Sequence, residues 1–114
     1  MYPKKIFPDP FRSLGYGSIS SSYAAVGTAL TEAARIVKFT NDTDQLVYIS
    51  WDGTHNHVYL PAGAFTLLDC TANLVRDDGF FIAVGTQFYA KAPATLPTSG
   101  NVVIEIYYGV GTFS

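Results

Sequence analysis

Between Arg35 and Asp69 the chain reads RIVKFTNDTDQLVYISWDGTHNHVYLPAGAFTLLD, and this stretch leaves little room for anything but β-structure. Ile36, Lys38 and Thr40 alternate with Val37 and Phe39, the Asx-rich tetrad Asn41-Asp42-Thr43-Asp44 interrupts the run, and Val47, Ile49 and Trp51 then alternate with Leu46, Tyr48 and Ser50. A period of two over several residues, punctuated by residues whose side chains bond nearby backbone amides, is the pattern of consecutive half-buried strands. Asn41 and Asp44 are therefore expected in one turn and Asp52-Gly53 in the next, with Asp78-Gly79 forming a third in which Gly79, like Gly53, supplies positive φ.

The same reading extends to the whole chain. Strands are expected at about 19–26, 34–40, 46–51, 57–60, 64–69, 80–84, 87–91 and 101–108, with one helical turn possible at 31–35. Eight short strands in 114 residues predict an all-β, single-domain β-sandwich with jelly-roll connectivity rather than a closed barrel. The last strand displays its sides openly, with Val102, Ile104, Ile106 and Tyr108 on one face and Val103, Glu105 and Tyr107 on the other. By the same phase Val47, Ile49 and Trp51 point inward, joined by Phe80, Ile82, Val84, Phe88 and Leu67, while Tyr48, Tyr89 and Tyr107 point outward.

Residues 1–17 read differently from the sandwich domain at 18–114. Pro3, Pro8 and Pro10 exclude a helix or a central strand, yet Tyr2, Phe7, Phe11 and Tyr16 are more apolar surface than a solvated tail carries. The expectation is an extended arm, up to about 55 Å long at roughly 3.3 Å per residue, that docks on a neighbour. Its three cations against one acid give +2, whereas four cations against eight acids leave the rest at −4. Neither part carries a basic field suited to direct nucleic-acid binding.

Chemistry-bearing patterns are sparse. Cys70 is the only cysteine, which rules out an internal disulfide and suits a small buried hydrophobe. His55 and His57 would share a strand face and could offer two imidazoles to a metal, but neither a third histidine nor a following glutamate completes the set, so no metal or cofactor is expected. Oxygen ligands for Ca²⁺ in the Asx tetrad are better explained as turn capping. No nucleophile elbow or phosphate-cradling glycine loop occurs, and an enzyme is not expected. Trp51, Asp52, His55 and Tyr59 in one loop leave a glycan platform open, although Trp51 is in phase with the core. The apolar runs are short of a membrane span and the N-terminus lacks the apolar region of a signal peptide, so synthesis in a cytoplasm and no membrane are expected.

The segments FTNDTDQLVYISWDG, LPAGAFTLLD, ANLVRDDGFFIAVGTQFYAK, PTSG and VVIEIYYG resemble small virion structural proteins of tailed bacteriophages, over roughly residues 22–109. The resemblance implies a non-enzymatic homo-oligomer assembled in the bacterial cytoplasm and located on the virion. It points to a capsid decoration or cement protein that binds the major capsid protein, with a portal, collar, tail or head-fibre position as alternatives; a glycan-binding module, suggested by the aromatic loop residues and not by the resemblance, is a second alternative. Tyr2, Phe7, Phe11, Tyr16, Tyr48, Tyr89 and Tyr107 are the interface residues expected on that view.

Overall fold

The computed structural model describes residues 5–69 and 82–110. Among the described residues there are eight strands: β1 (Lys5–Gly15), β2 (Ala24–Ala25), β3 (Ala34–Thr43), β4 (Val47–Ser50), β5 (Val58–Leu60), β6 (Phe65–Asp69), β7 (Tyr89–Lys91) and β8 (Gly100–Val110). They form two four-stranded antiparallel sheets, ordered β1-β8-β3-β6 and β2-β7-β4-β5, packed as a β-sandwich. The chain changes sheet at every connection except the β4–β5 hairpin.

Period-two alternation accounts for the core. Val37 and Phe39 of β3 and Val102, Ile104 and Ile106 of β8 face Val47 and Ile49 of β4 and Leu60 of β5, all buried. Phe39 and Phe88 meet edge to face at 5.3 Å, and Trp51 packs edge-on against Phe88 at 5.8 Å. This is the geometry that aromatic quadrupoles favour. Trp51 thus packs against the core as its phase requires.

Asn41, expected in a turn, lies instead in β3, fully buried, and pins the two sheets together. Its Nδ2 donates to Gln45 O and Leu60 O, and its Oδ1 accepts from Thr43 N–H and Thr43 Oγ1. Every hydrogen-bonding site of the amide is used, so the buried group carries no desolvation debt. Asp44 does sit in the turn, where its carboxylate accepts from Thr98 N–H and Thr98 Oγ1 and ties the β3–β4 corner to the approach to β8.

The expected arm is corrected. Residues 5–15 are extended, but they pair with β8 from Lys5↔Val110 to Gly15↔Asn101 as an edge strand of the sandwich. Prolines are compatible with this because an edge strand leaves alternate N–H groups without a ladder partner, and the register slips by one residue between Asp9 and Arg12, around Pro10. Arg12 locks this bulge from inside. Its Nη1 donates to Asp9 Oδ2 (2.6 Å) and Pro10 O, while Nε and Nη2 donate to Thr28 O and Ala29 O. Gly27, at φ +65°, admits the Arg12 stem, since a Cβ there would stand 2.3 Å from Arg12 Cγ.

Other expectations also change. The strand at 19–26 shrinks to Ala24–Ala25, and no helical turn forms at 31–35, where Ala34 and Arg35 already belong to β3. Leu67 is 55% exposed rather than in the core, because β6 pairs Val37 with Leu68 and Lys38 with Leu67, so Leu68 takes the inward position. Val84 is 61% exposed, whereas Ile82 and Phe88 are buried as expected, Ile82 bridging to Ala34. Tyr2, Cys70, Gly79 and Phe80 lie outside the described residues.

Candidate functional site

The loop between β4 and β5 is the most densely bonded surface element among the described residues. Gly53, at φ +79°, turns the chain back, and a Cβ at this position would touch the Tyr89 ring at 3.3 Å. Asp52 organises the turn: its Oδ1 accepts from Thr54 N–H (2.8 Å), His55 N–H (2.9 Å) and Ser50 Oγ (2.8 Å). His55 Nδ1 lies 2.7 Å from Asp52 Oδ2. Because an ionised carboxylate only accepts, that ring nitrogen carries the proton. His57 accepts Trp51 N–H at its Nδ1 (3.0 Å), which places the proton of its neutral ring on Nε2. Thus Asp52, expected as a turn residue and as part of a glycan platform but not as a metal ligand, is brought to the two histidines, and one candidate ligand atom of each lies within 4.8 Å of the others. The D-x-x-H-x-H spacing was the available signal.

The same bonds hold the Asp52 carboxyl well below its ordinary range, chiefly through His55 N–H, then the His55 ring, Thr54 N–H and Ser50. A depressed folded-state pKa stabilises the fold above the unfolded value, about 3.9, and that contribution is lost as pH falls towards the folded value. Asp52→Asn should therefore lower the denaturant midpoint at pH 7, with the gap to the parent closing progressively below about pH 4. A constant gap from pH 7 to pH 2 would contradict this role.

Beside the loop, the outer face of β2-β7-β4-β5 carries a row of aromatic rings. Tyr48 pairs with Tyr59 on one side and Lys91 on the other, the two tyrosine rings tilted at 5.9 Å. Lys91 Nζ stands 4.7 Å from the centre of the Tyr23 ring, whose hydroxyl donates to Asn56 Oδ1. The Tyr23 phenol is shifted upward, first by burial and then by the charges of Asp52 and Tyr48. Tyr59 is 64% exposed and borders, with Asn56 and His57, a shallow hollow of about 240 Å³. No protein-family model matches the chain, and neither a curated protein nor a solved structure shows significant similarity to it.

Of the expected interface residues, the three strand tyrosines Tyr48, Tyr89 and Tyr107 divide between two surfaces. Tyr48 and Tyr89 share the face just described, whereas Tyr107 lies on the outer face of the other sheet, opposite Pro8 and Ile36. Phe11, at the β1 bulge and 64% exposed, lines a hollow with Tyr107 and Glu105. Tyr16 sits exposed in a 3-10 turn after β1, and Phe7 pairs through its backbone with Tyr108. Phe65 and Leu67, absent from the expected interface, extend the Tyr107 face across β6, with Lys38 Nζ 4.6 Å above the Phe65 ring.

Proposed function

We propose that this chain is a non-enzymatic structural protein of a tailed-phage virion, a decoration or cement protein that clamps the shell of major capsid protein. The likeness of its strand and turn segments to such proteins supports the setting. The observation that carries the binding role is Phe65, 59% exposed beside Leu67 on the outer face of a sheet that also presents Tyr107. Large apolar side chains held side by side on a rigid sheet are surface suited to burial under a neighbour. The strand orders, with the chain alternating between sheets, are read here as a jelly roll, an architecture used in capsid and lectin domains. Several copies on a symmetric shell would multiply weak contacts through effective concentration. A protein that binds only the assembled shell stabilises it by mass action.

The test is heat resistance of heads prepared with and without the protein. Complete heads should survive higher temperatures, and a Phe65→Glu, Leu67→Glu variant should remain folded yet fail to restore the effect. Bare heads as resistant as complete ones would remove the cement role and favour a portal, collar, tail or head-fibre position.

The exposed Tyr59 ring on Tyr48, with Asn56 and His57 at its rim, favours glycan binding as a second reading. Trp51 contributes little to it, since its indole packs against Phe88. Glycan-array binding abolished by Tyr59→Ala would support that reading over assembly alone.

A further inference from the structure

We propose that the β4–β5 loop binds a divalent transition-metal ion of the borderline class, Zn²⁺, Ni²⁺ or Cu²⁺, through Asp52, His55 and His57. Two imidazoles and one carboxylate are the donor set that suits these ions, whereas Ca²⁺ and Mg²⁺ require mainly oxygen. The ligand atoms, within 4.8 Å of one another, need to close to about 3.4 Å for a tetrahedral ion with bonds of 2.0–2.1 Å. All three side chains are exposed, so torsional adjustment meets little packing.

The loop backbone is already set. Thr54 N–H, His55 N–H and Ser50 Oγ hold Asp52 Oδ1, which leaves Oδ2 to face the ion. His57 N–H bonds Ile49 O and extends the hairpin ladder to the ligand itself. The ion takes the place of the proton between His55 Nδ1 and Asp52 Oδ2, and neutral His55 then carries its proton on Nε2. His57 already has that tautomer, and its Nδ1 reaches the ion by releasing Trp51 N–H to solvent. Two hydrogen bonds are thus exchanged for coordination, which predicts modest affinity. Three protein ligands leave a position open to water or to a group from another molecule.

Trp51 is the only tryptophan in the chain and its ring centre lies 6.3 Å from that of His57, so it reports on the site directly. Untagged full-length protein titrated with NiCl₂ or CuCl₂ should show saturable, one-site quenching of Trp51 fluorescence, reversed by EDTA. Isothermal titration with ZnCl₂ should give the same stoichiometry. His55→Gln and His57→Gln should each weaken binding at least tenfold, and Asp52→Asn by a smaller factor, while millimolar Ca²⁺ should not compete. His55 is well exposed, so its variant keeps the fold, as a cooperative thermal transition with at most a small downward shift from the lost Asp52 contact should verify. No saturable binding by the parent protein, or equal affinity in the parent and in His55→Gln, overturns the proposal. Neither result bears on the capsid role, which this site does not enter.

Discussion

A chain beginning at Gly17 is expected to lose cooperative folding. Removing residues 1–16 deletes the whole of β1, strips β8 of one of its two neighbours and uncovers the inner-face row of Val102, Ile104 and Ile106 along that edge. It also removes Arg12, whose guanidinium holds the Thr28–Ala29 segment that leads from β2 towards β3. The loss is comparable to the whole stability of a domain this size, about 5–15 kcal/mol. Arg12→Ala alone should cost about 3 kcal/mol, because Asp9 is then left largely buried without its partner. Adding a peptide of residues 1–16 in trans should restore a cooperative transition to the truncated protein. A truncated chain that unfolds at the parent's denaturant midpoint would return β1 to the status of a detachable arm.

Gly100→Val is expected to be nearly as damaging. Gly100 opens β8 at φ +89°, and a Cβ there would lie 1.8 Å from Asp42 O, a backbone atom that cannot swing aside. The cost combines left-handed backbone strain with a steric clash and should reach about 4 kcal/mol. Gly63 separates the two effects. It has φ +76° but no neighbouring atom within 4 Å of the point a Cβ would occupy, so Gly63→Ala should carry backbone strain alone, about 1 kcal/mol. Equal shifts in guanidinium midpoint for the two variants would show that the contact with Asp42 is not what makes Gly100 necessary.

The sandwich was legible wherever one strand face alternates cleanly with the other. In β8, Val102, Ile104 and Ile106 are buried while Val103, Glu105 and Tyr107 lie on the outer face. Misreading began where two apolar residues are adjacent. Leu67 and Leu68 both suit an inward position, and only the pairing of β6 with β3 decides between them. Proline correctly excluded a central strand from residues 5–15, but cannot distinguish a free arm from an edge strand, since both tolerate a missing donor. Asn41 looked like turn chemistry because an Asx side chain that bonds a residue two positions on serves a turn and a buried corner equally well.

The candidate site was legible in its parts and not in its assembly. His55 and His57 were visible as a pair, and Asp52 as a turn former, but their meeting depends on Gly53 folding Asp52 back towards both rings. The separation of Tyr48 and Tyr89 from Tyr107 was likewise hidden, because strand phase distinguishes inside from outside without saying which outer face a residue joins.

The most direct measurement for the structural-protein account is a cryo-EM map of the intact phage particles produced in cells that express this chain. It should contain symmetric copies of an eight-strand, two-sheet sandwich on the outer surface of the head, with the Phe65, Leu67 and Tyr107 face against the major capsid protein. Density for the sandwich only at the portal or tail would contradict the cement assignment, and a particle with no such density would contradict the virion role itself.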